Sequence, residues 1–230
     1  MLHSKMGEDQ IYQVLRSAIF NAELTPGTQL VESSLADAFG VSRTPIRSVL
    51  SRLKYESLVR LIPNKGAFVY CPTPKEAEEI FFVRQILEPE ATYLAALKAN
   101  SSDLKKMEIY LDQEKHYYQQ NQPQLALHAI QSFHMVIIEA CKNAYLIQYL
   151  KEVLSLTHII QTFYDVAETN TTLSNHEHRT MYDAIHQRDA NRAKQLAIEH
   201  IPFIVKDIDF TKKLNHALSI EQIITRYTPK

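Results

Sequence analysis

Residues 32–70, ESSLADAFGVSRTPIRSVLSRLKYESLVRLIPNKGAFVY, decide how the amino-terminal part of this 230-residue chain folds. Leu35, Ala36 and Phe39 share one face of a first short helix, and Gly40-Val41 closes a tight turn after it. Ser42 is placed to N-cap a second helix. Pro45 sits in the first turn, where a missing N–H costs little. Ile46, Val49, Leu50 and Leu53 recur at helical spacing and form the face buried against the first helix. Leu58–Ile62 and Ala67–Tyr70 are strand-like, with Pro63-Asn64-Lys65-Gly66 as the turn between them. Two helices across a turn followed by a two-stranded wing make a winged helix-turn-helix, a shape that seats its second helix in a DNA major groove.

The polar side of the second helix fits that use. Arg43 and Arg47, four residues apart, form a stripe in the first turns, where base edges are met. Ser42 and Thr44 add hydroxyls and the helix start adds free N–H groups, both suited to phosphate oxygens. Lys65 and Gly66 at the wing tip would reach sugar–phosphate or the minor groove. A cluster of arginines is usually only a solvated helix face, and charge weighs against that here. Residues 42–65 hold six basic residues (Arg43, Arg47, Arg52, Lys54, Arg60, Lys65) and one acid (Glu56), while the whole chain carries −1. Positive charge gathered on one small element of a near-neutral protein is the electrostatic footprint of a nucleic-acid site.

Working outward, 45% apolar and 22% charged residues are ordinary for a globular protein, and only four glycines lean the chain toward helix. No apolar run approaches the roughly 20 residues of a membrane helix. The first residues, MLHSKMGEDQ, lack the apolar core of a secretory signal. Cys71 and Cys141 are too few for a disulfide framework and match no metal-binding spacing, so both are expected as reduced thiols in a cytoplasmic protein. Residues 9–22 read as an amphipathic helix, broken by Leu24-Thr25-Pro26-Gly27. The first domain, a winged helix-turn-helix, is expected over 1–71. Cys71-Pro72-Thr73-Pro74 forms a stiff connector. An all-α helical bundle is expected over 75–230, with helices near 75–99, 101–120, 124–142, 145–170, 173–188, 190–210 and 218–227. The fold class is mainly α. A bundle of that size buries its own core and has room for a ligand between helices.

Of ten histidines, His3 and His216 lie near ends or breaks, and His116, His128, His158 and His186 have no spaced partner. His134, His178 and His200 each fall mid-helix on a different predicted helix. Converging in a bundle core, they would hold Zn²⁺, Ni²⁺ or Mn²⁺ with positions left open; otherwise they are satisfied core or surface residues. Arg84, amid Phe81, Phe82, Val83, Ile86 and Leu87, has two readings: an ion pair with Glu88 one turn on, or bidentate capture of an effector carboxylate. Pro89 is expected to bend its helix. Asn143 is expected to cap or break the helices beside it.

The chain resembles the GntR family of bacterial transcription regulators, in its FadR-like branch with an FCD ligand-binding domain. In the first domain the resemblance rests on Thr25-Pro26-Gly27-Thr28-Gln29-Leu30, on the run from Leu35 to Arg47, and on Gly66-Ala67-Phe68-Val69. In the second it rests on Arg84-Gln85-Ile86-Leu87-Glu88-Pro89-Glu90-Ala91, Phe133-His134, Asn143 and Glu177-His178-Arg179. It implies a homodimer on a pseudo-palindromic operator and a small carboxylated metabolite as effector. Metal-binding FCD domains use one Asp and three His, and His134, His178 and His200 fall on the His positions. Ile130 stands where the Asp is expected. That leaves a three-His site completed by water or effector, Gln131 as a weak substitute, or no metal. Losing a carboxylate weakens the site for Mn²⁺ more than for Zn²⁺ or Ni²⁺.

The expected function is a ligand-responsive DNA-binding transcription regulator, a repressor rather than an enzyme. The alternative is a metal-dependent enzyme built on the three histidines. Against it, no HExxH motif occurs, and Glu177 should point away from His178, since adjacent helical residues do not share a face. A DNA-coating protein without effector would not need the large helical domain.

Overall fold

The computed structural model describes residues 6–166, 171–206, 208–213 and 218–227; His3 and His216 lie outside them. In chain order the first elements are α1 (Glu8–Phe20), β1 (Gln29–Leu30), α2 (Glu32–Phe39), α3 (Arg43–Tyr55), β2 (Val59–Ile62) and β3 (Gly66–Val69). Next come α4 (Pro74–Lys98), α5 (Ser101–Gln119), α6 (Pro123–Ala140), α7 (Ala144–Phe163) and β4 (Tyr164–Val166). The chain continues with α8 (Thr171–His186), α9 (Ala190–Lys206), β5 (Ile208–Lys213) and α10 (Ile220–Tyr227). It divides into two compact units, Met1–Thr73 with Lys213–Lys230, and Pro74–Lys212.

In the first unit, the apolar faces read from the sequence are the buried ones: Leu35, Ala36 and Phe39 on α2, and Ile46, Val49, Leu50 and Leu53 on α3. Gly40 ends α2 in the left-handed region, φ 65°, where a side chain would be strained. Ser42 takes the N-cap backbone conformation, but its hydroxyl makes no capping bond, so the expected cap is positional only. The wing closes through Lys65 N–H donating to the Ile62 carbonyl at 3.0 Å. Pro63 and Asn64 are the central residues, and Asn64 at φ 60° supplies the positive φ that a type II turn requires. The sheet has the antiparallel order β1–β3–β2, with Leu30 opposite Ala67 and Arg60 opposite Phe68. Residues 29–31, read as a mere lead-in, thus supply a third strand.

The last helix departs from the expected division at residue 75. α10 packs on α1 and α2 in the first unit. Ile223 is fully buried there, Leu218 N–H donates to the Glu23 carbonyl at 2.9 Å, and Arg226 pairs with Glu23 at 2.7 Å. The sequence suggested a helix near 218–227; a helical pattern carries no information about which core receives it.

The second unit is a helical bundle. α4 lies along α9 and α7, and α5 packs on α6. The core joins Ala95 and Ala96 of α4 and Ala99 just after it with Ala190, Ala193 and Ala197 of α9, small residues that let two backbones approach closely. Phe133, Val136 and Ile137 of α6 and Met181 and Ile185 of α8 complete it. Asn100 and Asp103 form a capping box at α5. Asn143 caps α7 by accepting from Tyr145 N–H and Leu146 N–H at 3.2 Å, as its sequence position suggested. α4 runs as one helix through Pro89. Two helices stop short of their expected ends, at 163 and 206, and their continuations β4 and β5 pair as a two-stranded ribbon. There Tyr164, almost fully buried, meets the Phe210 ring edge-on at 4.9 Å. Aromatic pairing across strands outweighs helical propensity at those ends.

Candidate functional site

Arg43, Thr44 and Arg47 stand exposed on α3 with Ser42 exposed at its N-cap, and Lys65 and Gly66 are exposed at the wing tip. Gln29 fixes that tip: its side-chain amide donates to the Lys65 carbonyl at 2.8 Å. Sequence reading missed this brace, because Gln29 on β1 and Lys65 in the β2–β3 turn are 36 residues apart. The six basic residues are not equivalent. Arg52 is tied to Asp9 at 2.7 Å and covers the Tyr12 ring at 3.6 Å, and Arg60 covers the Tyr70 ring at 4.5 Å. Arg47 Nε–H donates to Glu32 Oε2 at 2.7 Å. Among the described residues Arg43, Lys54 and Lys65 have no acidic partner, so they present the unmatched charge.

The bundle brings together the three histidines that the sequence singled out. α6 carries His134, α8 carries His178 and α9 carries His200; all three are buried, and their ligand atoms lie within 4.8 Å of one another. His178 is central: its Nε2 stands 3.2 Å from Nε2 of His134 and 3.2 Å from Nε2 of His200. Each ring's other nitrogen meets a carboxylate. His178 Nδ1 lies 3.0 Å from Glu114 Oε2, and His200 Nδ1 lies 2.8 Å from Glu177 Oε2. His134 Nδ1 lies 2.6 Å from Glu88 Oε1, close but out of line for a hydrogen bond.

These partners set the protonation pattern. A carboxylate only accepts, so each Nδ1 carries the proton. Burial holds His134 neutral, its pKa pushed down to about 4, against the opposing pull of Glu88 and with Arg84 adding to the fall. Burial, followed by His178 and His134, pushes His200 well below its ordinary value too. A neutral ring protonated at Nδ1 has a bare lone pair at Nε2, and His134 and His200 turn theirs toward Nε2 of His178. Nitrogen lone pairs gathered this closely need a proton or a cation among them. Carboxylate-backed imidazoles turning Nε2 to a common point are the form metal-ligating histidines take. The residues therefore fit a divalent cation.

Arg84 is buried, and the ion-pair reading describes it. Its Nε–H donates to Glu88 Oε2 at 2.5 Å, with longer contacts of 3.4 Å from Nη2 to Glu88 Oε1 and from Nη1 to Thr157 Oγ1. Burial works to raise the Glu88 carboxyl, but Arg84 and then His134 outweigh it and hold it well below the usual range. Likewise burial of Glu114 is outweighed by His178, and its carboxyl is lowered. Ile130 is buried one turn before His134 and offers no ligand atom, and Gln131 beside it is half-buried. Among the described residues no carboxylate joins the three Nε2 atoms. Glu177 does point away from His178, as expected, but it reaches His200 on the neighbouring helix. Glu88, Glu114 and Glu177 were all missed as histidine partners. Only Glu88 had a signal, its spacing from Arg84.

Comparison with known proteins gives a consistent answer. Residues 8–69 match the family described as bacterial regulatory proteins, gntR family, and residues 79–202 match the FCD domain. The Bacillus subtilis protein YdhC, an uncharacterized HTH-type transcriptional regulator, is 28% identical over 192 residues, 83% of this chain and 86% of the relative. The HTH-type transcriptional repressor RspR of Escherichia coli K12 is 25% identical over 202 residues, 86% of this chain and 87% of the relative. A solved GntR transcriptional regulator from Rhodococcus sp. RHA1 shares the fold with a TM-score of 0.76 at 21% identity, covering 86% of this chain and 95% of that one. Family and relatives are transcription regulators, so the three histidines are not read as a catalytic centre. The chain belongs to the GntR family of bacterial regulatory proteins, a DNA-binding transcriptional regulator with an FCD domain.

Proposed function

We propose that this regulator is a cytoplasmic repressor whose helical domain senses a small organic acid through a divalent cation held by His134, His178 and His200. The observation that carries the reading is the convergence of three buried Nε2 atoms, each ring backed by a carboxylate at Nδ1. An all-nitrogen donor set favours Zn²⁺ or Ni²⁺ over Mn²⁺. A cation bound there would offer its remaining positions to an effector carboxylate. Arg84 keeps Glu88 through Nε, and its longer-range Nη edge is the part suited to the same carboxylate. On DNA, Arg43 and Arg47 would meet base edges, with Ser42 and Thr44 on phosphates and Lys65 and Gly66 at the wing contact. A homodimer would present two such helices to a pseudo-palindromic operator. The effector acts by binding one dimer geometry better than the other; a near-complete switch takes about 5 kcal/mol of such preference.

Elemental analysis and native mass spectrometry of the purified full chain test this together. Bound Zn²⁺ or Ni²⁺ with a co-purified acid is expected, and His178→Ala, which removes the central ring, should abolish the metal. Unchanged metal content in that variant would remove the site. Sedimentation as a monomer at micromolar concentration would contradict the dimer.

A further inference from the structure

We infer that Glu88, Glu114 and Glu177 are positioning residues for the histidine centre, each fixing one imidazole by its Nδ1 edge and together supplying the negative charge that Ile130 does not. The inference rests on the cation site proposed above and deepens it. Its basis is a one-to-one pairing across different helices. Glu88 of α4 faces His134 of α6, Glu114 of α5 faces His178 of α8, and Glu177 of α8 faces His200 of α9. No helix supplies both members of a pair, so each contact holds two helices in register as well as setting a tautomer.

Charge gives the second argument. Three imidazoles contribute none, so a divalent cation held by them alone would be stranded in an apolar core. Behind them stand three carboxylates and one guanidinium, Arg84. The surplus is two negative charges, which one divalent cation cancels. A ligand-shell aspartate would add a further negative charge, so Ile130 matches this outer ring rather than defeating it. The three pairs differ in strength of setting. The Glu88 and Glu114 side chains are 1% exposed, whereas that of Glu177 is 32% exposed and screened by solvent. Glu88 is further fixed by Arg84, whose Nε–H takes Oε2 and leaves Oε1 for His134.

The test uses the full chain and two readouts. Zn²⁺ affinity is measured by competition with a chromophoric chelator, with Co²⁺ absorption reporting the ligand set. Glu88→Gln and Glu114→Gln should each weaken Zn²⁺ by about 10- to 100-fold, and Glu177→Gln by less, with the Co²⁺ spectrum still that of a three-nitrogen site. Long-range proton–nitrogen NMR of the metal-free chain should show the Nδ1–H tautomer at all three rings. Glu114→Gln should disturb His178 alone, and Glu88→Gln His134 alone. If Glu88→Gln fails to fold because Arg84 is left unpaired, Glu88→Gln with Arg84→Met removes the stranded cation and takes its place. A wild-type chain that does not bind Zn²⁺ at micromolar concentration overturns both the cation site and this inference. Wild-type affinity in the Glu88 and Glu114 variants overturns the positioning role alone. Tautomer changes at all three rings in every variant overturn the one-to-one pairing.

Discussion

If Arg47 must leave Glu32 to reach a base edge, that competition predicts a variant that binds DNA more tightly than the natural chain. The pair is exposed, 65% for the Arg47 side chain and 38% for that of Glu32, with Nε and Oε2 2.7 Å apart. An exposed pair of this kind is worth about 0.2–1 kcal/mol. A bidentate arginine–guanine contact is worth about 1–3 kcal/mol. Arg47→Ala loses the second while no longer having to break the first, a net cost of about 1–2 kcal/mol, or roughly 5- to 30-fold weaker operator binding. Glu32→Gln frees the guanidinium in advance and should tighten binding by roughly 1.5- to 5-fold. The two residues touch, so their effects should not add: in the Arg47→Ala background the Glu32→Gln gain should vanish. Fluorescence anisotropy on an operator duplex selected from a random library, against a scrambled duplex at one fixed salt concentration, gives all four affinities. If Glu32→Gln leaves affinity unchanged, the pair does not restrain Arg47. If its gain survives without Arg47, the effect is general charge repulsion and the competition is refuted.

Two further outcomes are expected. His134 is held neutral in the fold with a pKa of about 4, whereas the unfolded chain takes up that proton near 6.5, so stability should fall as pH drops between those values. The lowered Glu114 carboxyl adds a loss below its ordinary value of 4.5. Chelator-treated protein should therefore unfold at a lower urea midpoint at about pH 5.5 than at about pH 7.5, and equal midpoints would mean that His134 is not neutral in the fold. Ile223→Ala empties a fully buried position of the first unit and should cost about 2–5 kcal/mol there. Hydrogen exchange should show faster opening of α1 and α2 with α5 and α6 unchanged; uniform acceleration across both units would refute the docking of α10.

Local chemistry made the reading head legible. The α2 and α3 faces, the Gly40 turn and the Pro63-Asn64 wing are set by neighbours within a few residues, so periodicity and turn residues identified them. The helix positions of His134, His178 and His200 were legible for the same reason. Their carboxylate partners were not: Glu114 is 64 residues from His178, a contact written only in how α5 and α8 pack. Adjacency misled at Glu177, which was dismissed for facing away from His178 when its partner was a turn of another helix. α10 and the β4–β5 ribbon differ from the expected helices and bundle because a local pattern does not say what will cover a segment. Ser42 occupies the capping position without capping, which leaves its hydroxyl available.

Because α10, with Ile223 buried, packs on α1 and α2, the reading head is assembled from segments on both sides of the helical domain in sequence. A ribosome must translate the entire helical domain before that helix emerges, so the nascent DNA-binding unit waits with an open seam through all of that interval. Excising residues 1–73 for use as a stand-alone binder would preserve that seam for good, and such a fragment should be restored by supplying a peptide of residues 218–227 in trans.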